Sequence, residues 1–324
     1  LRVRAEAASY LAERGASRHA ERLRTLMADP AESTRAAAIA AYCRLSGADA
    51  VPVVVALLQD ASLSTRGSAI VALVRHGGLG GLVALPDDDV AGLEGDLLVS
   101  PDAGERTLGA GILGELAVPG FFHPIQDLLE DPVPSVRAAA LRAARSVAAP
   151  ELVPALRKAL DEPSSRAGAV RALIASTAAD PQRLAGIALD PTLAAPARVA
   201  LVRALGKAGP AASAFLPDFA FDEEERVRAA AYASMLDLRA NGHSPAIEPE
   251  RLREQLRSEV RSAFERRVAL ADLERDSVHP LLLDALAAGV QRDQDRVLAL
   301  VALLYPRIVL EPLRRAMSQA DARL

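Results

Sequence analysis

Small and apolar residues recur along this chain with the spacing of one face of an α-helix. Each occurrence begins with an arginine, and small or apolar side chains follow three, six and seven positions later, as Ala38, Ala41 and Tyr42 follow Arg35. Offsets of 3, 6 and 7 lie on one helix face. We therefore predict a helix, called a B helix, after each such arginine. These arginines are Arg4, Arg35, Arg66, Arg106, Arg137, Arg166, Arg198, Arg228, Arg267 and Arg296.

A second apolar segment, predicted to be a helix A, precedes several of these arginines. The clearest examples are residues 51–58, 122–129, 152–160 and 278–286, and each has a proline near its start. Proline is tolerated in the first turn of a helix, because the N–H group that it lacks would be unpaired there. The chain is therefore predicted to repeat a unit of helix A, a tight Asp/Pro turn and helix B.

Two helices cannot bury both of their apolar faces by themselves, whereas a stack of such pairs forms one continuous core. The repeat therefore predicts an all-α fold, a single α-solenoid of about ten helix pairs over residues 1–324. We expect it to be irregular around 76–104, which is rich in glycine and contains three consecutive aspartates, and at a turn-rich joint over 238–250. The copy at Arg267 fits poorly, because Glu274 stands at its seventh offset. Both ends read as incomplete units, so we expect the chain to be excised from a longer protein.

Composition narrows the classes of function. Hydrophobic residues make up 51% of the chain but aromatic residues only 3%, which favours closely packed helices. The single cysteine excludes a disulfide framework and a structural zinc site and fits a cytoplasmic setting. The net charge of −4 argues against nucleic-acid binding. No uninterrupted apolar run approaches the roughly 18 residues that span a bilayer, so we expect no direct membrane insertion.

Motifs that would indicate catalysis are weak. Gly206-Lys207 lacks the remaining residues of a phosphate-binding loop, and the five histidines lack metal-ligand spacing. Cys43 reads as a small core side chain. We therefore expect no enzymatic activity, no cofactor and no metal.

One set of arginines stands out from this background. Arg142, Arg171 and Arg203 each lie five residues after a repeat arginine, roughly opposite the core face of a B helix. On stacked helices they would form a row that could bind a carboxylate or phosphate, and a solubilising row paired with nearby acids is the alternative.

The D-P-x-x-x-V-R-x-x-A pattern at 131–140 resembles the HEAT-repeat family in its short bacterial form. In that family the recurrent aspartate and arginine form a hydrogen-bonded ladder between neighbouring units. The resemblance therefore implies a structural role for Asp29, Arg35, Asp60, Arg66, Asp131, Arg137, Asp161, Arg166, Asp222 and Arg228.

Residues 97–116, 128–144 and especially the D-R-V-x-x-L-x-x-L-L-Y-P string at 295–306 resemble a narrower set of bacterial multidomain proteins. In these, an ADP/ATP-translocase-like or major-facilitator-type membrane domain is followed by a HEAT region. The resemblance implies a cytosolic regulatory module, tethered to a membrane domain and in contact with a protein partner or with adjoining domains of the same chain.

The resulting hypothesis is a non-catalytic scaffold for protein interaction or regulation. Two alternatives stay open. One is an enzyme on a HEAT-like scaffold, such as a bilin lyase or a DNA glycosylase. The other is a sensor of a small anion or nucleotide that uses the arginine row.

Overall fold

The computed structural model describes residues 7, 10, 19–60, 62–76, 97–243, 246–275 and 279–305. Within these ranges the secondary structure is helical and contains no strand. Consecutive helices stack on one another, which confirms the predicted all-α solenoid class. The chain forms two compact units, Leu1–Thr177 and Ala178–Leu324. The predicted irregularity at 76–104 falls largely on 77–96, outside the described residues.

The first unit alternates short and longer helices. They are α1 (Ala20–Leu26), α2 (Glu32–Ser46), α3 (Val51–Val55), α4 (Leu63–His76), α5 (Ala103–Leu116), α6 (Phe122–Leu129), α7 (Pro134–Val147), α8 (Val153–Lys158) and α9 (Pro163–Ser176). The B helices α2, α4, α5, α7 and α9 pack side by side in that order. Short 3-10 turns lengthen several A helices, such as Ala56–Gln59 after α3.

Small residues on the predicted faces allow these helices to approach closely. The third and sixth offsets are buried in the repeats at Arg35, Arg66 and Arg166, where they are Ala38, Ala41, Ala69, Ala72, Ala169 and Ala172. Gly114 of α5 lies so close to α7 that a Cβ atom on it would stand 2.9 Å from Ala143 Cα. The hydrophobic core therefore runs continuously between neighbouring pairs.

Two of these helices end on an unusual backbone conformation. Ala117 after α5 and Ala148 after α7 adopt left-handed conformations, with φ of 53° and 52°. Each donates its N–H to the carbonyl oxygen four residues earlier, on Leu113 and Ala144 respectively. This conformation ends the helix and turns the chain toward the next A helix.

The second unit begins in the same way and ends differently. Its helices are α10 (Pro181–Leu189), α11 (Ala195–Lys207), α12 (Pro210–Ser213), α13 (Glu225–Ala240), α14 (Pro249–Arg275) and α15 (Pro280–Leu304), with a 3-10 segment at Leu216–Phe221. α11 packs on α13, and α13 packs on α15. The predicted joint at 238–250 includes residues 241–243 and 246–248, which are described and not helical.

The last two helices are longer than the repeat pattern predicts. Residues 278–286 read as a separate helix A, but Pro280–Leu304 is one helix of 25 residues. No proline lies between Pro280 and Pro306, so nothing forces a turn near Asp293, and the alanines and leucines around it favour a helix. Gly289 alone is too weak a breaker to interrupt the helix.

One stretch of the described residues, Glu32–Gln59, has the length and hydropathy of a membrane-crossing helix. Our expectation counted uninterrupted apolar residues, whereas this stretch is apolar on average despite scattered charges. It is not one regular α-helix: Gly47, at φ 55°, begins a 3-10 turn between α2 and α3. Its side chains Ala38, Ile39 and Tyr42 are buried in the core of the first unit. Packing in that core therefore uses part of its apolar character, since 33% of the apolar window is buried.

Candidate functional site

The repeat arginines bind the backbone of the turn that precedes their own helix. Arg35 donates from Nη1 to the carbonyl oxygens of Asp29 (2.9 Å) and Pro30 (3.1 Å), six and five residues earlier. Arg106, Arg137 and Arg228 repeat this contact at the same two offsets. Each of these arginines therefore fixes a turn and the start of the following helix together.

The repeat aspartates close those turns from the other side. One Oδ1 atom accepts a hydrogen bond from the backbone N–H two residues later, a local bond typical of aspartate in turns. The four such pairs are Asp29 with Ala31, Asp60 with Ser62, Asp131 with Val133 and Asp222 with Glu224.

Arginine and acid also pair between successive repeats. Arg106 donates from Nε and Nη2 to the two carboxylate oxygens of Asp131, at 2.6 and 3.0 Å. Arg198 binds both carboxylate oxygens of Asp222 in the same bidentate way. Such a link is the geometry that guanidinium and carboxylate prefer, and each of these two pairs joins the arginine of one repeat to the aspartate of the next.

Two of the predicted ladder positions behave differently. Arg166 lies five rather than six residues after Asp161, so its Nε atom binds the carbonyl oxygen of Leu160, at 2.9 Å. The carbonyl oxygen of Leu160, six residues before Arg166, therefore accepts from its repeat arginine as the carbonyl oxygen of Asp131 accepts from Arg137. The acid that pairs with Arg137 is Glu162 and not Asp161, with Nε to Oε2 at 3.1 Å.

The first repeats use hydroxyl groups in place of the acid. Arg35 donates from Nε to Thr65 Oγ1 (3.0 Å) and from Nη2 to Ser62 Oγ (3.3 Å), rather than to Asp60. The buried Nε of Arg66 has no hydrogen-bond partner within the described residues, and the residues that follow its helix, 77–96, lie outside them.

These links shift the ionisation of the acids. The hydrogen bonds from Arg106 lower the pKa of Asp131 below its usual value. The hydrogen bonds that Glu162 accepts from Arg137, and then from Ser164 and Ser165, lower its pKa as well. Both carboxylates are therefore held in the charged form that the ladder uses.

A larger ionic cluster joins the three long helices of the second unit. We call it the charge network, and each helix contributes two side chains to it: Glu225 and Arg228 from α13, Glu259 and Arg266 from α14, Asp293 and Arg296 from α15. Three positive and three negative charges balance. Glu259, Asp293 and Arg296 are exposed by only 1%, 0% and 3%. Partners are required at such burial, because an uncompensated charge is very costly there.

The network is continuous. Glu259 accepts from Arg228 at 2.7 Å and from Arg296 at 2.9 Å. Asp293 Oδ1 accepts from Arg296 at 2.6 Å and from Arg266 at 2.7 Å. Burial raises the pKa of Glu259, but the hydrogen bonds from Arg228 and Arg296 outweigh it, so the net shift is downward.

The arginine row leads to a different kind of site. Arg142 and Arg171 line one groove of about 630 Å³ across α5, α7 and α9, and Arg145 lines it with them. Alanine and glycine form much of its surface, and Ser146 and Ser164 add hydroxyl groups. The position that corresponds to Arg142 on α5 is Gly111, and a Cβ atom there would meet no other atom within 4 Å. The groove is therefore open beside the arginines.

These three arginines are available for binding. Within the described part of the chain, Arg142, Arg145 and Arg171 are exposed and make no hydrogen bond or ion pair. Glu115, the acid that lines the groove, is paired with Arg75 at 2.9 Å. The groove therefore carries three uncompensated positive charges on a chain whose net charge is −4.

Arg203 lies in the second unit, apart from this groove. It lines a cleft of about 760 Å³ between α11 and α13 together with Lys207, Asp237 and His243. Gly206, beside Lys207, serves packing, because a Cβ atom there would stand 2.7 Å from Ser234 Cβ. It lies within α11, and not in a phosphate-binding loop.

The other candidate residues have structural surroundings. Burial raises the pKa of the Cys43 thiol to about 11, so it is not activated as a nucleophile. His279 Nδ1 accepts the backbone N–H of Leu281 at the start of α15. In the ranges that the structure describes, no three His, Cys, Asp or Glu side chains converge as metal ligands. The glycine cluster at 77–81 and the three aspartates at 87–89 lie outside these ranges.

Sequence reasoning missed Glu162, Glu259 and Arg266. A signal existed for Glu162, because it follows Arg137 by 25 residues, the spacing that separates Arg106 from Asp131. The contacts of Arg266 with Asp293 and Glu225 span 27 and 41 residues, and no repeated spacing marks them.

Comparison with known proteins adds little. No protein-family model and no curated protein matches the chain. Among solved structures, an engineered protein of the Northeast Structural Genomics Consortium is similar at 20% identity, over 68% of this chain and 96% of its own, with a TM-score of 0.34. A second engineered protein from the same consortium matches at 17% identity, over 92% and 84%, with a TM-score of 0.37.

Importin beta, crystallised in an ammonium sulfate condition, matches at 15% identity, over 87% of this chain and 37% of its own, with a TM-score of 0.36. At such low identities and TM-scores these likenesses carry no argument about function. The chain is a helical repeat solenoid on the strength of its own helices.

Proposed function

We propose that this protein is a non-catalytic interaction module and that the groove across α5, α7 and α9 binds an acidic segment of a protein partner or of an adjoining domain. The observation that carries this proposal is the set of three unpaired arginines, Arg142, Arg145 and Arg171, in one groove.

The chemistry of the groove favours an acidic peptide. Guanidinium groups bind carboxylates bidentately, and Arg142 and Arg145 stand three residues apart on one helix, where side chains are neighbours. The alanine and glycine surface would let an extended backbone approach closely. A peptide that carries several carboxylates would therefore satisfy the three charges together.

A binding titration tests this proposal. The probe is a short fluorescent peptide of alternating Glu and Gly, followed by anisotropy, and the same peptide with Lys in place of Glu is the control ligand. We expect saturable binding of the acidic peptide only. Binding should weaken between about 50 and 200 mM salt, because salt screens exposed charges.

Matched variants locate the site. Arg142→Glu with Arg171→Glu should weaken binding by at least about 100-fold, since each removes a charge-assisted hydrogen bond worth about 1.5–3 kcal/mol. Arg203→Glu makes the same change in the other unit and should leave the affinity unchanged. Equal loss from Arg203→Glu, or binding of the Lys peptide, would contradict the proposal.

Gly111 offers a second test in the same groove. Gly111→Glu places a carboxylate in open space next to the arginines and should compete with the peptide. Gly111→Ala fits the same space without charge and should bind as the unmodified protein does.

A small anion is the second candidate ligand, and the same arginines favour it. Inorganic phosphate or ATP should then displace the peptide at micromolar concentration, and one Arg171→Ala change should abolish the displacement. If only millimolar phosphate competes, the peptide is the better description of the ligand.

We further propose the setting that the sequence resemblance suggests, a HEAT-like regulatory region on the cytoplasmic side of a transporter-type membrane domain. An open reading frame with membrane helices before Leu1 would support it. A frame without them would remove it and leave the groove proposal intact. Turnover of a bilin or release of a base from DNA by the purified protein would overturn the non-catalytic assignment.

A further inference from the structure

An exposed apolar stripe runs along the outer face of α14. Val260, Phe264 and Val268 are exposed by 48%, 68% and 44%. Their spacing of four residues places them in one line on the helix. The opposite face of α14 is used for packing, with Leu252 and Glu259 buried. The stripe is therefore a second apolar face on a helix that already has one in the core.

The stripe has the same order in both directions. Phe264 stands at its centre, and a valine lies four residues before it and four residues after it. If two copies of α14 lie antiparallel about a two-fold axis at Phe264, Val260 of one copy meets Val268 of the other. The two phenylalanines then meet on the axis. A self-complementary patch of this kind is what a two-fold dimer requires.

The charges beside the stripe follow the same rule. Arg257 and Arg261 precede Phe264, whereas Glu265 and Asp272 follow it, all on the exposed side of the helix. Antiparallel pairing places Arg257 of one copy opposite Asp272 of the other, and Arg261 beside Glu265. Parallel pairing would bring like charges together. Within the described residues, Arg257 and Arg261 have no ion pair or hydrogen bond of their own, whereas Asp272 already has an interaction, to which the pair across the axis would add.

We propose that two copies of this chain associate through α14, antiparallel, with Phe264 on the two-fold axis. One pair of helices gives an interface at or below the lower end of stable ones, which bury about 1,200–2,000 Å². The dimer is therefore weak and forms in a concentration-dependent way.

Sedimentation velocity over a range from about one to several hundred micromolar tests this association, since a weak dimer of about −4 to −8 kcal/mol dissociates within that range. We expect the sedimentation coefficient to rise from that of a monomer to that of a dimer. Phe264→Glu should remove the rise. Val99→Glu, at a residue exposed by 79% in the first unit, makes a similar apolar-to-acidic change and should retain it.

A charge exchange tests the register. Arg257→Asp alone, or Asp272→Arg alone, should weaken the dimer by about tenfold, because each places like charges opposite one another. The double variant Arg257→Asp with Asp272→Arg should recover the original affinity. The two residues are about 22 Å apart along one helix, at 1.5 Å per residue, so recovery arises only between copies.

Three results would overturn the proposal. They are a monomer at every concentration, a dimer that survives Phe264→Glu, and a double variant as weak as the single ones. Far-ultraviolet circular dichroism of each variant checks that the helices are intact. The peptide titration of the groove in the first unit is a separate measurement, so the two proposals can fail independently.

Discussion

The middle helices of the first unit and the last three helices of the second unit use arginine–acid pairs in different ways. Between α5 and α7 a single pair, Arg106 with Asp131, marks the step from one repeat to the next. At α13, α14 and α15 six charged side chains join in one network, and three of them are almost completely buried. Pairing of arginine with an acid therefore links successive repeats in the first unit and forms one cluster of six side chains in the second.

The two arrangements differ in how well they tolerate the loss of one charged side chain. A ladder link such as Arg106 with Asp131 is buried less completely, with side chains exposed by 13% and 6%, so a guanidinium that loses its acid there keeps some contact with water. The buried network has no such relief, because each charge there depends on its neighbours for compensation. We expect the first region to depend mostly on close helix packing, and the second to depend on an intact set of charges.

Breaking the network should have the largest effect. Glu259→Gln removes the negative charge between Arg228 and Arg296, so Arg228 loses its acid partner, Arg296 keeps only Asp293 and Glu225, and the network is left with one positive charge in excess. Removing one partner of a buried ion pair costs about 3–5 kcal/mol, so the free energy of unfolding of the second unit should fall by about that amount. Urea unfolding followed by circular dichroism measures the loss, and hydrogen exchange of α13 and α15 locates it.

Glu274→Gln is the matched control, since Glu274 is exposed on the same helix. It should change the free energy of unfolding by less than about 0.5 kcal/mol. If the two variants unfold alike, the network does not hold these helices together.

Substituting one glycine in each unit compares how closely the helices of the two regions pack. Gly114→Ala should destabilise the first unit by about 1–3 kcal/mol, because the new Cβ would stand 2.9 Å from the backbone of Ala143. Gly289→Ala should cost less, because its nearest atom is a side-chain atom, Cδ of Arg266, at 3.1 Å, rather than backbone. Thermal unfolding of both variants decides the question, and a larger loss at Gly289 would reverse the comparison.

Removing one ladder link should have a smaller effect. Asp131→Asn keeps the shape of the side chain but weakens its charge-assisted hydrogen bonds with Arg106, so we expect a loss of about 1–2 kcal/mol in urea unfolding. Asp127→Asn, at an exposed position in α6, should show no loss. A loss as large as that of Glu259→Gln would mean that the two regions do not differ.

The smallest effect is on the pH dependence. The pKa of Asp131 is lowered in the folded protein, first of all by its hydrogen bonds with Arg106. Its contribution to stability is therefore present above the unfolded pKa of about 3.9 and is lost as the pH falls through the lower folded value. The difference in unfolding free energy between the unmodified protein and Asp131→Asn should shrink as the pH is lowered from 6 toward 3.5. A difference that stays constant would mean that the link does not depend on the charge.

Much of the fold followed from the sequence because its signal is local. An arginine followed by small residues at Ala38 and Ala41 defines a helix and its buried face without knowledge of any partner. The ends of α14 and α15 were harder, because the repeat spacing near Arg267 and Arg296 suggested short pairs. The absence of a proline between Pro280 and Pro306 was the better guide there.

The groove was predictable in part for the same reason. Arg142 and Arg171 share an offset within their repeats, and that offset brought them to one surface. Arg145 was missed because it lies outside that offset, although its spacing of three from Arg142 places it on the same face of α7. The charge network could not be foreseen, because the contacts of Arg266 join helices with no shared spacing.

The left-handed conformation of the alanines after α5 and α7 means that substitution at these two positions could raise the thermal stability of the protein. A side chain in that conformation carries a penalty that glycine avoids, roughly 1 kcal/mol at each place. Exchanging Ala117 and Ala148 for glycine would remove this penalty and would leave the side chains of the groove and of the charge network unchanged. The same exchange is therefore open at the ends of two successive B helices of the first unit.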